Sequence, residues 1–181
     1  MNYKSVARYA IFVIVTGIIL WLIIISSGPI KWVPIVCKSA QEYSIDPALI
    51  MAVIETESKF NAKAVSNAGA IGLMQIMPKT ARSISRELKI KKYNKDSLYN
   101  PEINIKIGTY YLKKMLQEFD NDIDLALAAY NAGMGNIRKW QEQKRKIQFE
   151  ETRTFVKRVK SARIKYKVLK RIFPASLIKI K

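Results

Sequence analysis

Hydrophobic and polar positions divide the chain into an uncharged apolar run and a series of segments with helical spacing. Residues 9–25 contain no charged side chain, and 17 such positions lie at the short end of the range for a membrane-spanning helix. Lys4 and Arg8 precede the run, as expected for a cytoplasmic N-terminus. We therefore expect residues 1–30 to form a single-pass anchor in the cytoplasmic membrane, with the rest of the chain on its outer, periplasmic side. A cleaved signal peptide is the alternative, but the long apolar core and Pro29 favour the anchor.

Beyond a predicted linker at residues 31–39 and a short helical lead-in at 40–43, apolar residues recur every three or four positions. Asp46-Pro47, Asn100-Pro101 and Asp122 have the composition of helix starts, and Pro78 opens another helix. Asn136 can cap a short helix that runs to Trp140. No stretch alternates convincingly as a strand does, so the pattern predicts an all-α domain after the transmembrane helix.

The last predicted helix, residues 151–172, has a narrow apolar seam with Lys and Arg around it. The seam consists of Phe155, Val159, Ala162, Tyr166 and Leu169. It favours a helix that docks on the domain, and the alternative is a basic amphipathic helix that lies on an anionic membrane.

The composition limits the possible chemistry. The chain has no His and one Cys, which excludes Ser-His and Cys-His nucleophile pairs, His-ligated zinc and an internal disulfide. Acid–base catalysis must therefore use Asp, Glu, Tyr or Lys. No motif indicates a metal or a cofactor, and none is expected.

The positive charge is concentrated near the C-terminus. Of the 18 net charges, 13 lie in residues 138–181, which contain 16 Lys and Arg and three Glu. Such a region is expected to bind a polyanion, either an anionic wall polymer or the headgroups of anionic lipids. Nucleic acid is a further candidate, but the anchor and the lack of a basic-aromatic reading motif argue against specific binding of it.

Glu57 is the most distinctive carboxylate of the first predicted helix. On a helical wheel with about 100° per residue, it falls within an apolar face. That face comprises Leu49, Ile50, Val53, Ile54 and Phe60. Burial there raises a carboxyl pKa, as a general acid requires. Glu55 falls on the opposite side, where a solvated pair with Lys59 explains it. The alternative for Glu57 is a helix that ends near Ser58, so that the side chain simply reaches water.

Three short motifs follow one another along the chain: ETES with Glu57 and Ser58, GLMQ at residues 72–75, and AYNAG at residues 129–133. In this order and spacing they resemble the catalytic domain of soluble-type lytic transglycosylases, glycoside hydrolase family 23, related to goose-type lysozyme. The resemblance covers residues 40–160 and includes YNPEINIKIGTYYL and, more weakly, FEETRTFVKRV. Residues 161–181 then form a basic C-terminal helix or tail.

The resemblance implies a lysozyme-like, mostly helical domain whose cleft binds peptidoglycan glycan strands. Its catalytic glutamate would be Glu57, and Ser58 would contact the scissile linkage or orient that glutamate. Met74, Gln75, Tyr130 and Asn131 would contact the sugar. Without the resemblance, Tyr130 would be read as a core residue and Asn131 as a helix cap.

The implied reaction needs one acid–base group. Glu57 would protonate the oxygen between N-acetylmuramic acid and N-acetylglucosamine, and then deprotonate the C6 hydroxyl that closes on C1, which leaves a 1,6-anhydro-muramyl end. Alternatives are a hydrolytic muramidase on the same fold, with a second carboxylate, and a non-catalytic wall-binding scaffold.

The sequence departs from the family pattern at Phe155, where many members have a tyrosine. The aromatic ring is kept and the hydroxyl is lost. Either that hydroxyl is dispensable or another group, such as Tyr166, supplies it.

Overall fold

The computed structural model describes residues 9, 11–17 and 29–172, in two units, Met1–Val33 and Pro34–Lys181. In the first unit, residues 11–17 are helical and mostly exposed. The predicted anchor, residues 1–30, lies largely outside the described residues and stays a prediction. Among the residues that are described, no helix is long and apolar enough to cross a membrane.

From residue 29 onward the described chain contains α-helices, short 3₁₀ helices and irregular loops. The α-helices are α1 (Val33–Tyr43), α2 (Pro47–Ser58), α3 (Pro78–Glu87), α4 (Pro101–Glu118), α5 (Ile123–Ala132), α6 (Met134–Glu142) and α7 (Glu150–Ile172). The 3₁₀ helices span Pro29–Trp32 and Lys95–Tyr99. Isolated bridges join Ile71 to Val65 and to Ile76, but no strand forms in the described part. The prediction of an all-α domain is confirmed.

The predicted linker, residues 31–39, is helical. α1 begins at Val33, with Pro34 in its first turn, and both Val36 and Ser39 are buried. The prolines of this segment suggested a spacer, but a proline in the first turn of a helix removes no intrahelical hydrogen bond.

Side-chain caps fix most of the other helix starts where the sequence predicts them. The side chains of Asp46, Asn100 and Asp122 each accept hydrogen bonds from backbone N–H groups two or three residues further on. The prediction that Asn136 caps the short helix is wrong. α6 starts at Met134, directly after Gly133 with φ +86°, and the Asn136 amide donates to the Ala132 carbonyl instead.

α2 is the central helix of the second unit. Every residue from Ala48 to Ile54 is buried, and α7 packs along α2 and α5. On α7, Phe155, Val159 and Tyr166 of the seam are buried, which confirms docking of the described part of this helix.

Ion pairs reinforce the docking of α7. Arg163 binds the α2 cap Asp46 at 2.9 Å, and Lys165 binds Glu55 at 2.7 Å. α2 is therefore held by α7 near both of its ends. Glu57 lies in the last turn of α2, two residues beyond Glu55.

Candidate active site

Glu57 lies in the last turn of α2, which ends at Ser58 with Lys59 in the left-handed conformation. The helix thus ends at Ser58, as in the alternative interpretation of the sequence, and Phe60 lies beyond the helix, not on its apolar face. The Glu57 side chain is nevertheless partly buried. Burial raises its pKa to about 8, and the negative charge of Glu151 adds to the shift. Glu57 is therefore a protonated acid near neutral pH.

Glu55 has the opposite environment although it lies only two residues away. Its carboxylate accepts from the Lys165 ammonium at 2.7 Å and from the Tyr166 hydroxyl at 2.5 Å. Burial raises the pKa of Glu55, but these two hydrogen bonds outweigh it and bring the pKa below its ordinary value. The predicted pair with Lys59 is wrong, because the nearer cation comes from α7, over 100 residues away in sequence.

The GLMQ loop is fixed in place by one buried amide. Asn104 of α4 is fully buried, and its Oδ1 accepts from the Met74 N–H at 2.8 Å. Its Nδ2 donates to the carbonyls of Ile71 and Leu98 at 2.9 and 2.8 Å. Gly72, with φ +82°, permits this approach, since a Cβ there would lie 2.2 Å from Nδ2. Both hydrogen-bonding ends of the amide are therefore used to shape the loop.

The backbone of Met74 lies at the site, whereas its side chain packs in the core. The side chain is fully buried against α4, where a Cβ on Gly108 would lie 2.4 Å from the Met74 sulfur. Gln75 has φ +46°, and its Nε2 donates to the carbonyls of Ala64 and Gly72. Contacts of Met74 and Gln75 with a sugar stay predictions.

Ser58 links the end of α2 to the same loop. Its buried hydroxyl donates to the Leu73 carbonyl at 2.8 Å and is also 3.2 Å from the Ile54 carbonyl. Ser58 therefore fixes the distance between the Glu57 backbone and the GLMQ loop. Direct contact of Ser58 with substrate stays a prediction.

Tyr130 closes the site from α5. Its hydroxyl donates to the Met74 carbonyl at 2.8 Å, and its ring is parallel to that of Phe155 with centroids 6.5 Å apart. Burial raises the pKa of Tyr130 well above its ordinary range, and the charges of Glu57 and Tyr111 contribute to the rise. Tyr130 thus lies close enough to Glu57 for electrostatic coupling, and it holds the loop at the same time.

Asn131 and Phe155 join α5 to α7. The Thr152 hydroxyl donates to Asn131 Oδ1 at 2.7 Å. Phe155 keeps the aromatic packing at the position where a tyrosine was expected. Tyr166 does not supply a hydroxyl there, since its own hydroxyl binds Glu55.

Two candidate functional residues, Glu151 and Asn104, were not identified from the sequence. Glu151 is an exposed carboxylate at the start of α7, and its charge reaches Glu57. A signal for it existed, because the weakly matching FEETRTFVKRV segment contains it. Asn104 is a single amide side chain between two isoleucines of α4. This pattern indicates a buried polar group, but it does not indicate which groups bind it. Within the described residues, no cluster of Cys, Asp and Glu could hold a metal ion.

An all-α domain with a buried carboxylic acid at the end of its central helix has the architecture of a lysozyme-like domain. Residues 34–152, more than half of the chain, match the family model described as Transglycosylase SLT domain. The chain therefore belongs to the SLT transglycosylase domain family.

Relatives with curated names agree with this family. The chain is 37% identical over 142 residues to the soluble lytic murein transglycosylase of Salmonella typhimurium, over 72% of this chain and 22% of that protein. It is 39% identical over 121 residues to membrane-bound lytic murein transglycosylase C of Actinobacillus pleuropneumoniae, over 60% of this chain and 32% of that protein. The chain thus spans between about a fifth and a third of the length of these relatives.

A solved structure shows the same fold. It is an inactive mutant of the lytic transglycosylase Slt from Pseudomonas aeruginosa in which a glutamate is replaced by glutamine. It superimposes with a TM-score of 0.68 at 35% identity, over 72% of this chain and 23% of that one.

Proposed function

We propose that this chain is a membrane-anchored peptidoglycan lytic transglycosylase that cleaves the bond between N-acetylmuramic acid and N-acetylglucosamine. The observation that carries the proposal is Glu57, a carboxylic acid kept protonated by burial at the end of α2, within a domain of the SLT family. A relative of this fold is inactive when a glutamate becomes glutamine, which is consistent with a glutamate as the essential group.

The proposed reaction uses Glu57 twice. The neutral carboxyl gives its proton to the glycosidic oxygen as the bond from C1 to that oxygen breaks, and the N-acetylglucosamine side leaves as an alcohol. The resulting carboxylate takes the proton of the C6 hydroxyl while the C6 oxygen bonds to C1. The product is a 1,6-anhydro-muramyl end, Glu57 is protonated again, and no water is consumed. A pKa near 8 suits both steps, because the group can lose and regain a proton near neutral pH.

The surrounding residues would bind and orient the sugar. Gln75 is partly exposed, and within the described structure its Nε2 is used by two carbonyls while nothing donates to Oε1. We assign that oxygen to accept from a sugar hydroxyl or N-acetyl N–H. Asn131 would contact the sugar through its amide nitrogen, since its Oδ1 is bound by Thr152. Ser58, Met74 and Tyr130 would shape the cleft wall, because their polar groups hold the loop.

A hydrolytic muramidase is the second candidate, and Glu151 is the specific observation that favours it. Glu151 is an exposed carboxylate whose charge raises the pKa of Glu57, so a second acid lies within electrostatic reach. A hydrolase would use such a carboxylate to activate water.

Product masses from purified peptidoglycan distinguish the two reactions. The transglycosylase yields muropeptides one water lighter than the reducing muropeptides that hydrolysis yields. Glu57→Gln should abolish release with the fold intact, whereas Glu55→Gln is the matched control and should retain the anhydro products. Reducing products would replace the proposal with the muramidase, and no release by a folded wild-type chain would refute both.

Glu151→Gln tests the part played by the second carboxylate. Removing its negative charge lowers the pKa of Glu57, so the loss of activity at high pH should begin at a lower pH while anhydro products persist. If the variant instead loses all activity at every pH, Glu151 takes part in the chemistry and Glu57 is not the sole acid–base group.

The membrane anchor at residues 1–30 is a proposal based on the apolar run of the sequence, and a relative named as membrane-bound supports it. The catalytic domain would then lie on the outer face of the cytoplasmic membrane. Resistance to alkaline carbonate extraction, lost on deletion of residues 1–30, would support the anchor. Release of the intact chain by carbonate would contradict it.

The basic C-terminal region would bind anionic wall polymers or lipid headgroups. α7 offers fewer cations for this than its sequence suggests, because Lys160, Arg163 and Lys165 are already in ion pairs. Lys157 and Lys167 remain exposed without a partner among the described residues. Because the whole chain carries a net charge of +18, wall binding should weaken steeply with salt.

A further inference from the structure

An open, basic pocket of about 630 Å³ lies between the C-terminal half of α3 and the segment that follows it. Its volume falls within the range of small-molecule sites, about 300–1,000 Å³. Five of its lining residues are cationic, and none is acidic: Arg82, Arg86, Lys89, Lys92 and Lys95. None of the residues assigned to the cleft around Glu57 lines this pocket.

The five cations have no partner in the part of the chain that the structure describes. Elsewhere some cations are paired, as Lys114 is with Glu87 and Arg138 with Glu118, and others, such as Lys157, have no partner among the described residues, so the lack of partners alone does not distinguish the pocket. A fully solvated surface could leave lysines unpaired without consequence. Five cations around one concave surface repel one another, however, and their fields add where an anion would sit.

Other polar groups of the pocket are donors or are already satisfied. The carbonyls of Ile84, Ser85 and Arg86 at the end of α3 accept from backbone N–H groups further on. The Tyr93 hydroxyl is buried and has no hydrogen-bond partner within the described chain. Burial raises the pKa of Tyr93, although the Arg82 charge opposes the rise, so the hydroxyl stays a donor at neutral pH. No unpaired acceptor from α3 therefore competes with an incoming anion.

We propose that this pocket binds phosphate groups of a linear phosphodiester polymer, the chemistry of an anionic wall polymer. Two arginines suit the bidentate recognition of phosphate oxygens, and the lysines add point charges at the rim. An open pocket also lets a polymer continue beyond it in both directions.

The shape of the pocket argues for a polymer over a membrane surface. A membrane-binding surface presents protruding apolar side chains between its cations. The pocket contributes one partly buried aliphatic residue, Ile90. The strongly exposed aliphatic residues Ile164 and Val168 lie on α7 instead. The proposal does not depend on catalysis, because the two sites share no residue.

The test measures binding of a short poly(glycerol phosphate) to the full chain by calorimetry at fixed ionic strength. Arg86→Gln with Lys92→Gln removes two exposed pocket cations. The matched control, Lys63→Gln with Lys79→Gln, removes the same charge from two exposed lysines that lie outside both this pocket and α7. We expect the pocket variant to weaken binding about tenfold and the control about twofold or less. Thermal unfolding checks that both variants fold. If the double pocket variant does not fold, the single variant Lys92→Gln replaces it in the binding measurement.

Equal weakening by both variants would overturn the proposal, because attraction to the whole basic chain would then explain binding. Pocket-dependent binding of phosphatidylglycerol vesicles without binding of the polymer would overturn it in favour of a membrane site. Inorganic phosphate that binds as tightly as the polymer would overturn the assignment to a polymer. Cleavage of polymer-free peptidoglycan should be the same in the pocket variant and the wild type, so the catalytic proposal stands or fails separately.

Discussion

Replacing Glu57 with glutamine should stabilise the protein progressively as the pH rises. Glu57 has a pKa of about 8 in the folded chain, against 4.5 for an unperturbed glutamate. A raised pKa in the folded state means that the folded chain holds this proton more tightly than the unfolded chain. The stability contributed by this group is therefore complete below pH 4.5 and is lost as the pH rises towards 8. Glutamine stays neutral and loses nothing.

The size of the effect follows from proton linkage, which is worth about 1.4 kcal/mol per pH unit between the two pKa values. Between pH 5 and pH 7 the wild type should lose about 2.5 kcal/mol of unfolding free energy through Glu57 alone. Partial exposure of the side chain screens the charge and brings the expected loss to about 1–2 kcal/mol. The difference between Glu57→Gln and wild type should grow by that amount.

Urea unfolding at pH 5, 6, 7 and 8 measures this difference, because all other titrating groups cancel between the two chains. Glu55→Gln is a control of opposite sign. The pKa of Glu55 is lowered in the folded chain, so this variant should be less stable than wild type throughout this series, and further measurements below pH 4.5 should show the deficit shrinking. A difference between Glu57→Gln and wild type that does not change with pH would refute the burial of Glu57.

Three further substitutions test how the loop is held. Tyr130→Phe leaves the Met74 carbonyl without its donor, so unfolding in urea should show a loss of about 1–3 kcal/mol, and wall cleavage should fall. Asn104→Ala removes three hydrogen bonds at once, and a loss above about 3 kcal/mol is expected from the same measurement. Gly108→Ala places a methyl group against the Met74 sulfur and should lower stability by about 1–3 kcal/mol, partly restored by a smaller residue at position 74. An unchanged stability in any of the three would contradict the contact on which that prediction rests.

The sequence was most informative where structure depends on neighbours along the chain. The starts of α2, α4 and α5 follow from Asp46, Asn100 and Asp122, because a cap and its amides lie within three residues. The start of α6 was not predicted in this way. Gly133 ends α5 and directly precedes α6 with a positive φ, and no capping side chain marks this position in the sequence.

The sequence predicted the acidic residue of the candidate site, Glu57, but not the contacts that position the loop around it. Burial of Glu57 follows from its place among apolar neighbours on one helix. The partners of Asn104 lie 6, 30 and 33 residues away, and no local pattern encodes such distances. The charge of Glu151 reaches Glu57 from α7 across the fold. For the same reason Glu55 was assigned to nearby Lys59 when its cation is Lys165.

The ion pairs between α7 and α2 also set an order of events during synthesis. Asp46 and Glu55 bind cations that lie 117 and 110 residues later in the chain. At about 5–20 residues per second, a ribosome needs roughly 5–20 s to make the intervening segment. During that time the nascent chain lacks the two cations of α7 that bind α2 near its ends. Glu151 also lies on α7, so its contribution to the raised pKa of Glu57 arises only when that helix docks.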